Sequence, residues 1–423
     1  MNRFSYISLI VALLCCRPEV CFADAVLDWN EIALTQVTSG QQLPPDGSRS
    51  MAMLHVAMFD AINAIEARYA AYAFHDPAPR VASPEAAAAS AARTVLLDLF
   101  ENGAQAIEAA YAEALKRIPD GEAKSAGVAI GQSAAAACLA RRADDGSTAP
   151  NTYKPRTTPG TYVPTTLPVS FQWGAVRPWM LKRGEELRPR SPVELTSAEW
   201  VRDYNEIKAL GARQSTARTA EQTETARFWM TTGPAAWNPV VRSVALSARL
   251  DLLDNARLFA LVGMATMDAY VASFEAKYFY GFWRPITAIR NGDSDNNPAT
   301  DPDLAWLPLI DTPMHPEYPC AHCITASAVG AVLEAHFGRG RVAPISMTSP
   351  TAPGVTHRWT RIADYVAEVS NARVWGGVHY RSSTEIGEAM GRQIGQLAVQ
   401  HLLTAQGGSR PLRRAAAQPA ATP

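Results

Sequence analysis

Five side chains in the second half of the sequence combine positive charge with groups that can transfer protons. They are Lys277, Arg284, His322, Arg373 and His379. Each comes from the end or the buried face of a predicted helix. Any chemistry they perform together therefore depends on how the ends of consecutive helices meet.

Lys277 and Arg284 follow the longest helical pattern in the chain, which spans about residues 242–280. Lys277 continues a stripe that advances by four, three, four and three residues. The stripe consists of Gly263, Met267, Tyr270, Phe274 and Lys277. Pro285 disfavours helical backbone at Arg284, which predicts an extended exit segment that folds back towards the lysine. Taken alone, Lys277 is more typical of a lysine that reaches the surface from a helix end.

His322 lies where the next predicted helix begins, in the segment His315-Pro316-Glu317-Tyr318-Pro319-Cys320-Ala321-His322-Cys323. Free backbone N–H groups and the dipole at a helix N-terminus favour an anion. The spacing of Cys320 and Cys323 also invites a zinc or redox interpretation. A zinc site needs further ligands, and a thioredoxin-like site needs alternating strands and helices. We therefore predict two small thiols packed against the bundle.

Arg373 and His379 flank a predicted helix break. Arg373 continues the buried face of its helix, where an arginine needs an anionic partner. Gly376-Gly377 ends that helix, and Ser382 with Glu385 predicts a capping box for the final one. His379 is thus expected in a tight turn between helices, where a single histidine is usually structural.

Together, Lys277, Arg284 and Arg373 would place three like charges in one apolar pocket, which is tolerable only if an anion neutralises them. An oxyanion with about three negative charges fits, namely phosphate or its analogue vanadate. The positive charge must be local, because 39 Lys and Arg residues balance 40 Asp and Glu residues over the 423-residue chain. This balance argues against a nucleic-acid partner held by a basic surface. The 48% of hydrophobic residues exclude a largely disordered chain.

The pattern resembles the three-part signature shared by vanadium-dependent haloperoxidases, type-2 phosphatidic acid phosphatases and class A acid phosphatases. In the first part, Lys277 is followed after six residues by Arg284-Pro285. The second part is Pro319-Cys320-Ala321-His322. In the third part, Arg373 is followed after five residues by His379. Order and spacing agree over roughly residues 270–400. Residues 51–64 and Leu27-Asp28-Trp29-Asn30 also resemble the exported bacterial haloperoxidase-like branch. The signature is specific for the superfamily and less specific for the reaction.

The resemblance implies a vanadate site that oxidises halide with hydrogen peroxide to a hypohalous species, which halogenates a small organic acceptor. In the family pattern, His379 binds vanadium through a ring nitrogen. Lys277, Arg284 and Arg373 hydrogen-bond the equatorial oxygens. His322 is the acid–base group that handles the protons of the apical oxygen and of the peroxide.

The resemblance also places Cys320 and the backbone N–H of Ala321 beside the vanadate oxygens. From spacing, we expect Phe274 and His315 to line the halide position. Four positions depart from the common pattern, namely Cys320 for Ser, Ala321 for Gly, Ala372 for Ser and Ser383 for Asp. The first weakens a hydroxyl hydrogen bond, and the last removes the usual partner that orients His379. These changes bear on efficiency and halide choice more than on the fold.

Two other functions stay open at this point. The first is an exported acid phosphatase, which would cleave a phosphomonoester or lipid phosphate and would bind phosphate in the pocket. In that reaction His379 would form a phosphohistidine, and His322 would protonate the leaving oxygen. The second of these functions is that of a helical protein that only stores or senses oxyanions. The long N-terminal helical half and residues 51–64 favour the haloperoxidase.

The fold class that fits is all-α, with helical bundles of the two-bundle haloperoxidase and acid phosphatase type. Helical patterns cover residues 50–69, 84–100, 104–117, 122–142, 196–210, 220–230 and 242–280. Thr196 and Glu199 form a capping-box signal for the fifth of these. We expect an N-terminal helical half over 24–144, a Pro-rich connection packed on the surface over 145–195, and a C-terminal catalytic bundle over 196–407. Residues 408–423 are expected to form a disordered tail.

Residues 1–23 have the pattern of a signal peptide, with Arg3 before an apolar core over 7–14 and small residues near the cleavage site. We therefore expect a periplasmic or extracellular protein without a membrane span. Three of the six cysteines leave with this segment, so the remainder do not form a disulfide framework. A homodimer is one arrangement that the sequence leaves open.

Overall fold

The computed structural model describes residues 24–406, so the predicted signal peptide and the predicted tail lie outside the described residues. The described chain contains thirteen α-helices and one antiparallel hairpin. The helices are α1 (Ala25–Ser39), α2 (Pro44–Glu66), α3 (Pro84–Leu99), α4 (Ala104–Lys116), α5 (Glu122–Arg142), α6 (Ala198–Leu210), α7 (Ala220–Phe228), α8 (Pro234–Ala248), α9 (Leu252–Tyr280), α10 (Pro285–Arg290), α11 (Ala321–Phe337), α12 (Ile362–Trp375) and α13 (Arg381–His401). The strands are β1 (Ile345–Ser349) and β2 (Ala352–Trp359). The all-α prediction is confirmed, and the short hairpin is an element that the sequence analysis did not predict.

The predicted continuous helix over 242–280 is wrong, because the chain breaks there into α8 and α9. Arg249 adopts a left-handed backbone with φ of 49°, which ends α8. Asp251 then caps α9, its carboxylate accepting a hydrogen bond from the Asp254 N–H at 2.8 Å. A left-handed residue followed by an Asp cap separates two helices that share an apolar composition.

Two predicted helix caps are also corrected. Ser197, the neighbour of Thr196, caps α6 by accepting from the Trp200 N–H at 3.1 Å. Ser382 lies inside the first turn of α13, whose N-cap is Tyr380. In both cases the helix begins within two residues of the predicted position, and the preceding chain decides which residue has the extended backbone of a cap.

Helix α9 is the central element of the fold. It packs against α2 on one side and against α11 and α13 on the other, and the buried core is continuous across these contacts. Small residues permit the close approach to α2, since a Cβ on Gly263 would lie 2.9 Å from the Ala52 Cα. A helix that is apolar all round must be buried on all sides.

Within residues 24–406, α9 is the one helix that is long and apolar enough to cross a membrane. In this structure, 94% of its most apolar window is buried inside the protein. Protein side chains surround it on the faces that a lipid-exposed helix would show to the bilayer.

The Pro-rich connection over 145–195 packs against α9. It contains two short 3₁₀ helices, Phe171–Ala175 and Gly184–Leu187, both of which contact α9. The buried Asp268 carboxylate of α9 accepts hydrogen bonds from three consecutive N–H groups of the connection, those of Trp179, Met180 and Leu181, at 2.6, 2.9 and 3.0 Å. One carboxylate therefore ties an irregular segment to the central helix.

The ends of α9, α11, α12 and α13 meet at one end of the C-terminal helices. Helices α11 and α13 approach closely because Gly387, Gly391 and Gly395 face α11, where added Cβ atoms would lie 2.9, 2.1 and 2.4 Å from backbone oxygens. Gly377 turns the chain between α12 and α13 with φ of +78°. This geometry brings the segments with the predicted site residues together.

Replacing Asp268 with Asn should destabilise the protein. An amide has one acceptor oxygen, so at least one of the three buried N–H groups loses its partner, at a cost of about 2 kcal/mol. Urea unfolding followed by circular dichroism measures the change, with the exposed Asp76→Asn as the matched control. Equal unfolding free energies for the two variants would contradict the proposed role of Asp268 in holding the connection.

Candidate functional site

The structure brings together all five of the predicted site side chains. Lys277 lies in the last turn of α9, and Arg284 lies just before α10 in extended backbone, as its proline neighbour predicts. His322 is in the first turn of α11, Arg373 in the last turn of α12, and His379 in the turn before α13. They form a cluster at the meeting point of these helix ends, called the cationic pocket below.

Main-chain carbonyl groups hold the lysine in place. The Lys277 ammonium is fully buried and donates to the Pro316 and Glu317 carbonyl oxygens at 3.1 and 2.8 Å. An ammonium has three N–H donors, so these two bonds leave one for another acceptor. The lysine that alone was more typical of a surface side chain is buried in the cationic pocket.

Arg284 links the cationic pocket to two histidines. Its guanidinium donates to the carbonyl oxygens of His315 and Val378 at 2.9 and 2.7 Å. It also contacts the His379 Nε2 at 3.3 Å and the His315 Nδ1 at 3.0 Å. Because a guanidinium has only donors, the His379 Nε2 presents a lone pair to it. The His315 Nδ1 also lies 3.2 Å from the Pro316 carbonyl oxygen, so it is placed between a donor and an acceptor.

Arg373 is buried with part of its guanidinium unpaired. It donates to the Trp229 carbonyl oxygen at 2.7 Å. Its Nε is buried and has no hydrogen-bond partner among the described residues. A buried cationic donor without a partner is costly, which indicates that an acceptor belongs beside it.

The three cations destabilise one another in the absence of an anion. Burial lowers the pKa of Lys277 well below its usual value, and the nearby Arg284 lowers it further. Burial lowers the pKa of Arg284 to about 10. Burial together with repulsion from Arg284 lowers the pKa of Arg373 to about 9. Among the described residues none of the three forms an ion pair with a carboxylate, so the cationic pocket has the electrostatics of an anion site.

His379 has a defined tautomer. Its Nδ1 lies 2.7 Å from the Glu317 Oε1, which also accepts the Tyr380 backbone N–H at 3.1 Å. An ionised carboxylate can only accept, so Nδ1 carries the ring proton when Glu317 is ionised. The contact with Arg284 independently requires a lone pair at Nε2. Both contacts thus leave Nε2 free to bind an electrophilic centre.

His322 has the opposite tautomer. Its Nε2 lies 3.2 Å from the Thr231 carbonyl oxygen, which can only accept, so Nε2 carries the proton. The lone pair is then on Nδ1. The ring is half-buried, and burial with the nearby Arg373 lowers its pKa well below the usual value. A neutral imidazole with a free Nδ1 can accept a proton.

Sequence reasoning missed three groups that hold the site. The sequence signal for Glu317 is an acidic residue in a largely apolar segment between Pro316 and Pro319. A site with three cations needs a nearby carboxylate, and Glu317 is a candidate on that ground. Burial raises its pKa to about 7, while Arg284 and Lys277 oppose this shift. The Trp229 and Thr231 carbonyls, which hold Arg373 and His322, left no signal, because any residue type supplies a carbonyl. The expectation that Ser383 leaves His379 without an orienting partner is therefore wrong.

The two cysteines are joined, which corrects the prediction of two free thiols. Cys320 is the N-cap of α11 and Cys323 is in its first turn, with Cα atoms 5.4 Å apart, and the two sulfurs form a disulfide. This separation is usual for a disulfide. A disulfide sulfur carries no hydrogen, so the Cys320 side chain cannot donate to an oxyanion. The backbone N–H of Ala321 remains as the candidate donor at this position.

The two residues expected near a halide lie against each other. The rings of Phe274 and His315 pack edge to face with centroids 5.2 Å apart. His315 contacts Arg284 through its ring and its carbonyl oxygen, so this pair forms a wall beside the cationic pocket. The wall combines an aromatic ring with a polar imidazole.

The disulfide predicts a specific alkylation pattern. In denatured protein without reductant, the Cys320 and Cys323 peptide should resist iodoacetamide, and it should gain two alkyl groups after reduction. Mass spectrometry of the digested protein measures this. The free Cys138 is an internal control that should react under both conditions. Alkylation of Cys320 or Cys323 before reduction would contradict the assignment.

Comparisons with known proteins agree with this geometry. A family model described as the VCPO second helical-bundle domain matches residues 257–408, which include every residue of the cationic pocket. Vanadium chloroperoxidase of Curvularia inaequalis is 30% identical over 164 residues. This match covers 32% of the chain and 26% of the relative, so the chain matches about a quarter of that protein's length.

Solved structures extend the likeness to most of the fold. A structure described as the first bacterial vanadium-dependent iodoperoxidase superposes with a TM-score of 0.77, at 21% identity, over 90% of this chain and 97% of that one. An apo-type bacterial vanadium-dependent chloroperoxidase gives a TM-score of 0.68, at 17% identity, over 84% and 93%. These structures show that the chain shares the fold of bacterial vanadium-dependent haloperoxidases, and within that fold residues 257–408 match the VCPO second helical-bundle domain.

Proposed function

We propose that the protein is a vanadate-dependent haloperoxidase that uses hydrogen peroxide to oxidise halide. The observation that carries the proposal is the His379 Nε2 lone pair beside Arg284, in a pocket where Lys277 and Arg373 are also buried. The similar proteins are described as vanadium chloroperoxidases and as a vanadium iodoperoxidase, which supports this activity over phosphate ester hydrolysis.

The residues present fit vanadate. The Arg373 Nε has no partner among the described residues, and Lys277 has a donor to spare, so the cationic pocket offers N–H groups to oxygen ligands. Lys277, Arg284 and Arg373 would hold the oxygens, the Ala321 N–H would add a contact, and His379 would bind the metal through Nε2. When bound there, vanadate supplies a Lewis acid that activates hydrogen peroxide towards attack by halide.

The protein side chains move protons and balance charge in this mechanism. His322 would accept a proton from incoming hydrogen peroxide at Nδ1, since its Nε2 proton is engaged by the Thr231 carbonyl. The three cations would offset the negative charge of the oxygens throughout turnover. We propose that halide approaches along the wall formed by Phe274 and His315.

A cavity beside Phe274 is suited to the organic acceptor. It has a volume of about 680 Å³, and its aromatic lining includes Phe171, Phe274, Tyr278 and Phe279. This volume is in the usual range for small-molecule sites. Phe274 borders both the cavity and His315, so a hypohalous species formed near His315 would have a short path to a bound acceptor.

We also propose that the protein is exported. The first 23 residues have the signal-peptide pattern, and the disulfide of Cys320 and Cys323 is typical of proteins in oxidising compartments. Analysis of cell fractions and of the mature N-terminus tests this proposal.

Purified protein reconstituted with vanadate should brominate a phenolic dye in the presence of peroxide. His379→Ala should lower this activity by more than about 100-fold, because it removes the metal ligand. His75→Ala, an exposed histidine outside the cationic pocket, is the control and should keep full activity. Dye bromination followed by absorbance measures all three proteins, with chloride and iodide tested in parallel.

The same preparation without vanadate is tested on an aryl phosphate. Hydrolysis that vanadate inhibits, with no halide oxidation under any condition, would identify a phosphatase and reject the proposal. Binding of vanadate without either turnover would also reject it, in favour of an oxyanion-binding protein.

His322→Ala should separate binding from turnover. Vanadate affinity should change by only a few-fold, because His322 does not bind the metal. Turnover should fall by about 10² to 10⁴-fold, the usual contribution of a general acid–base group. Isothermal titration calorimetry and initial rates at saturating vanadate measure the two quantities. A loss of affinity that accounts for the whole loss of rate would contradict the acid–base role.

A further inference from the structure

Glu317 is the one carboxylate that reaches into the cationic pocket from the described residues. It lies in the segment between α10 and α11 and is fully buried. Its Oε1 accepts from the His379 Nδ1 at 2.7 Å and from the Tyr380 N–H at 3.1 Å. A buried carboxylate is costly and needs a specific reason to be there.

The backbone of Glu317 connects further parts of the cationic pocket. Its carbonyl oxygen accepts from Lys277 at 2.8 Å. Its N–H donates to the Phe282 carbonyl oxygen at 3.0 Å, next to the segment that carries Arg284. The carboxylate is thus held at a fixed position relative to the cations before any ligand arrives.

The carboxylate and the arginine constrain His379 from opposite sides of its ring. Glu317 requires a proton on Nδ1, and Arg284, at 3.3 Å from Nε2, requires a lone pair there. With the other tautomer, an N–H on Nε2 would point at a guanidinium that has only donors. Removing the carboxylate removes the group that selects the useful tautomer.

We propose that Glu317 is the positioning residue that fixes His379 with its Nε2 lone pair available to vanadium. This inference rests on the proposed function, because it assigns the ring nitrogen that binds the metal. Glu317 acts through His379 and does not touch the oxyanion itself. In metal sites, such outer partners raise ligand basicity and fix ring orientation.

The proposal distinguishes vanadate from phosphate. Vanadate gains a bond to Nε2, whereas inorganic phosphate is held by the cations alone. Glu317→Gln keeps an oxygen that can accept from the Nδ1–H but removes the negative charge that raises the basicity of Nε2, so it should weaken vanadate binding by about 10-fold. Phosphate binding should stay equal or become tighter, because the variant also removes a negative charge beside the cations. The ratio of the two dissociation constants is the decisive quantity.

Titration calorimetry of the full chain with vanadate and with phosphate measures this ratio in the wild type and in Glu317→Gln. Glu275→Gln is the matched control, since Glu275 on α9 pairs with Arg188 outside the cationic pocket. It should leave the ratio unchanged. Equal weakening of both oxyanions by Glu317→Gln would indicate a purely structural role and overturn the proposal, as would an unchanged ratio.

A second measurement does not depend on the variant folding. In ¹⁵N-histidine-labelled wild-type protein without vanadate, NMR should show a protonated Nδ1 and an unprotonated Nε2 for His379, assigned by comparison with His379→Gln. A protonated Nε2 would overturn the proposal. Wild-type protein that binds phosphate but shows no preference for vanadate, with the expected tautomer present, would reject the vanadium function instead. The two failures are therefore distinguishable.

Discussion

The structure depends on a charge imbalance buried where four helix ends meet. Lys277, Arg284 and Arg373 are withdrawn from water, and Glu317 is the carboxylate placed near them. Burying like charges together opposes folding, so the surrounding elements must hold them in place. The central helix, the tight turn at Gly377 and the close packing of α11 on α13 all serve this geometry. When an oxyanion binds among the three cations, its attraction to them offsets the free-energy cost of burying them together.

Two imidazoles divide the chemistry because their surroundings select different tautomers. A carboxylate on Nδ1 leaves His379 with a lone pair at Nε2, while a carbonyl on Nε2 leaves His322 with a lone pair at Nδ1. One ring is suited to bind a metal and the other to accept a proton. The same residue type therefore performs two roles, and the distinction comes from its hydrogen-bond partners.

Much of this arrangement could be predicted from the sequence. The apolar register of α9 and the proline after Arg284 correctly predicted where these two side chains emerge, and the glycine pair predicted the turn before His379. The break between α8 and α9 was missed because both helices are apolar and a left-handed Arg249 has no sequence signature. Glu317 was missed because its partner is 62 residues away, and only the fold brings the two together. The domain boundaries stay a prediction.

The cations of the site are held largely by main-chain carbonyls, those of Trp229, Glu317 and Val378 among them. A carbonyl is the same for every residue type, so these bonds depend on the position of the backbone and not on the side chains of the residues that supply them. An insertion or deletion is different, because it displaces the carbonyl itself. For these bonds, the chain length between the helices therefore matters more than the residue type that supplies each carbonyl.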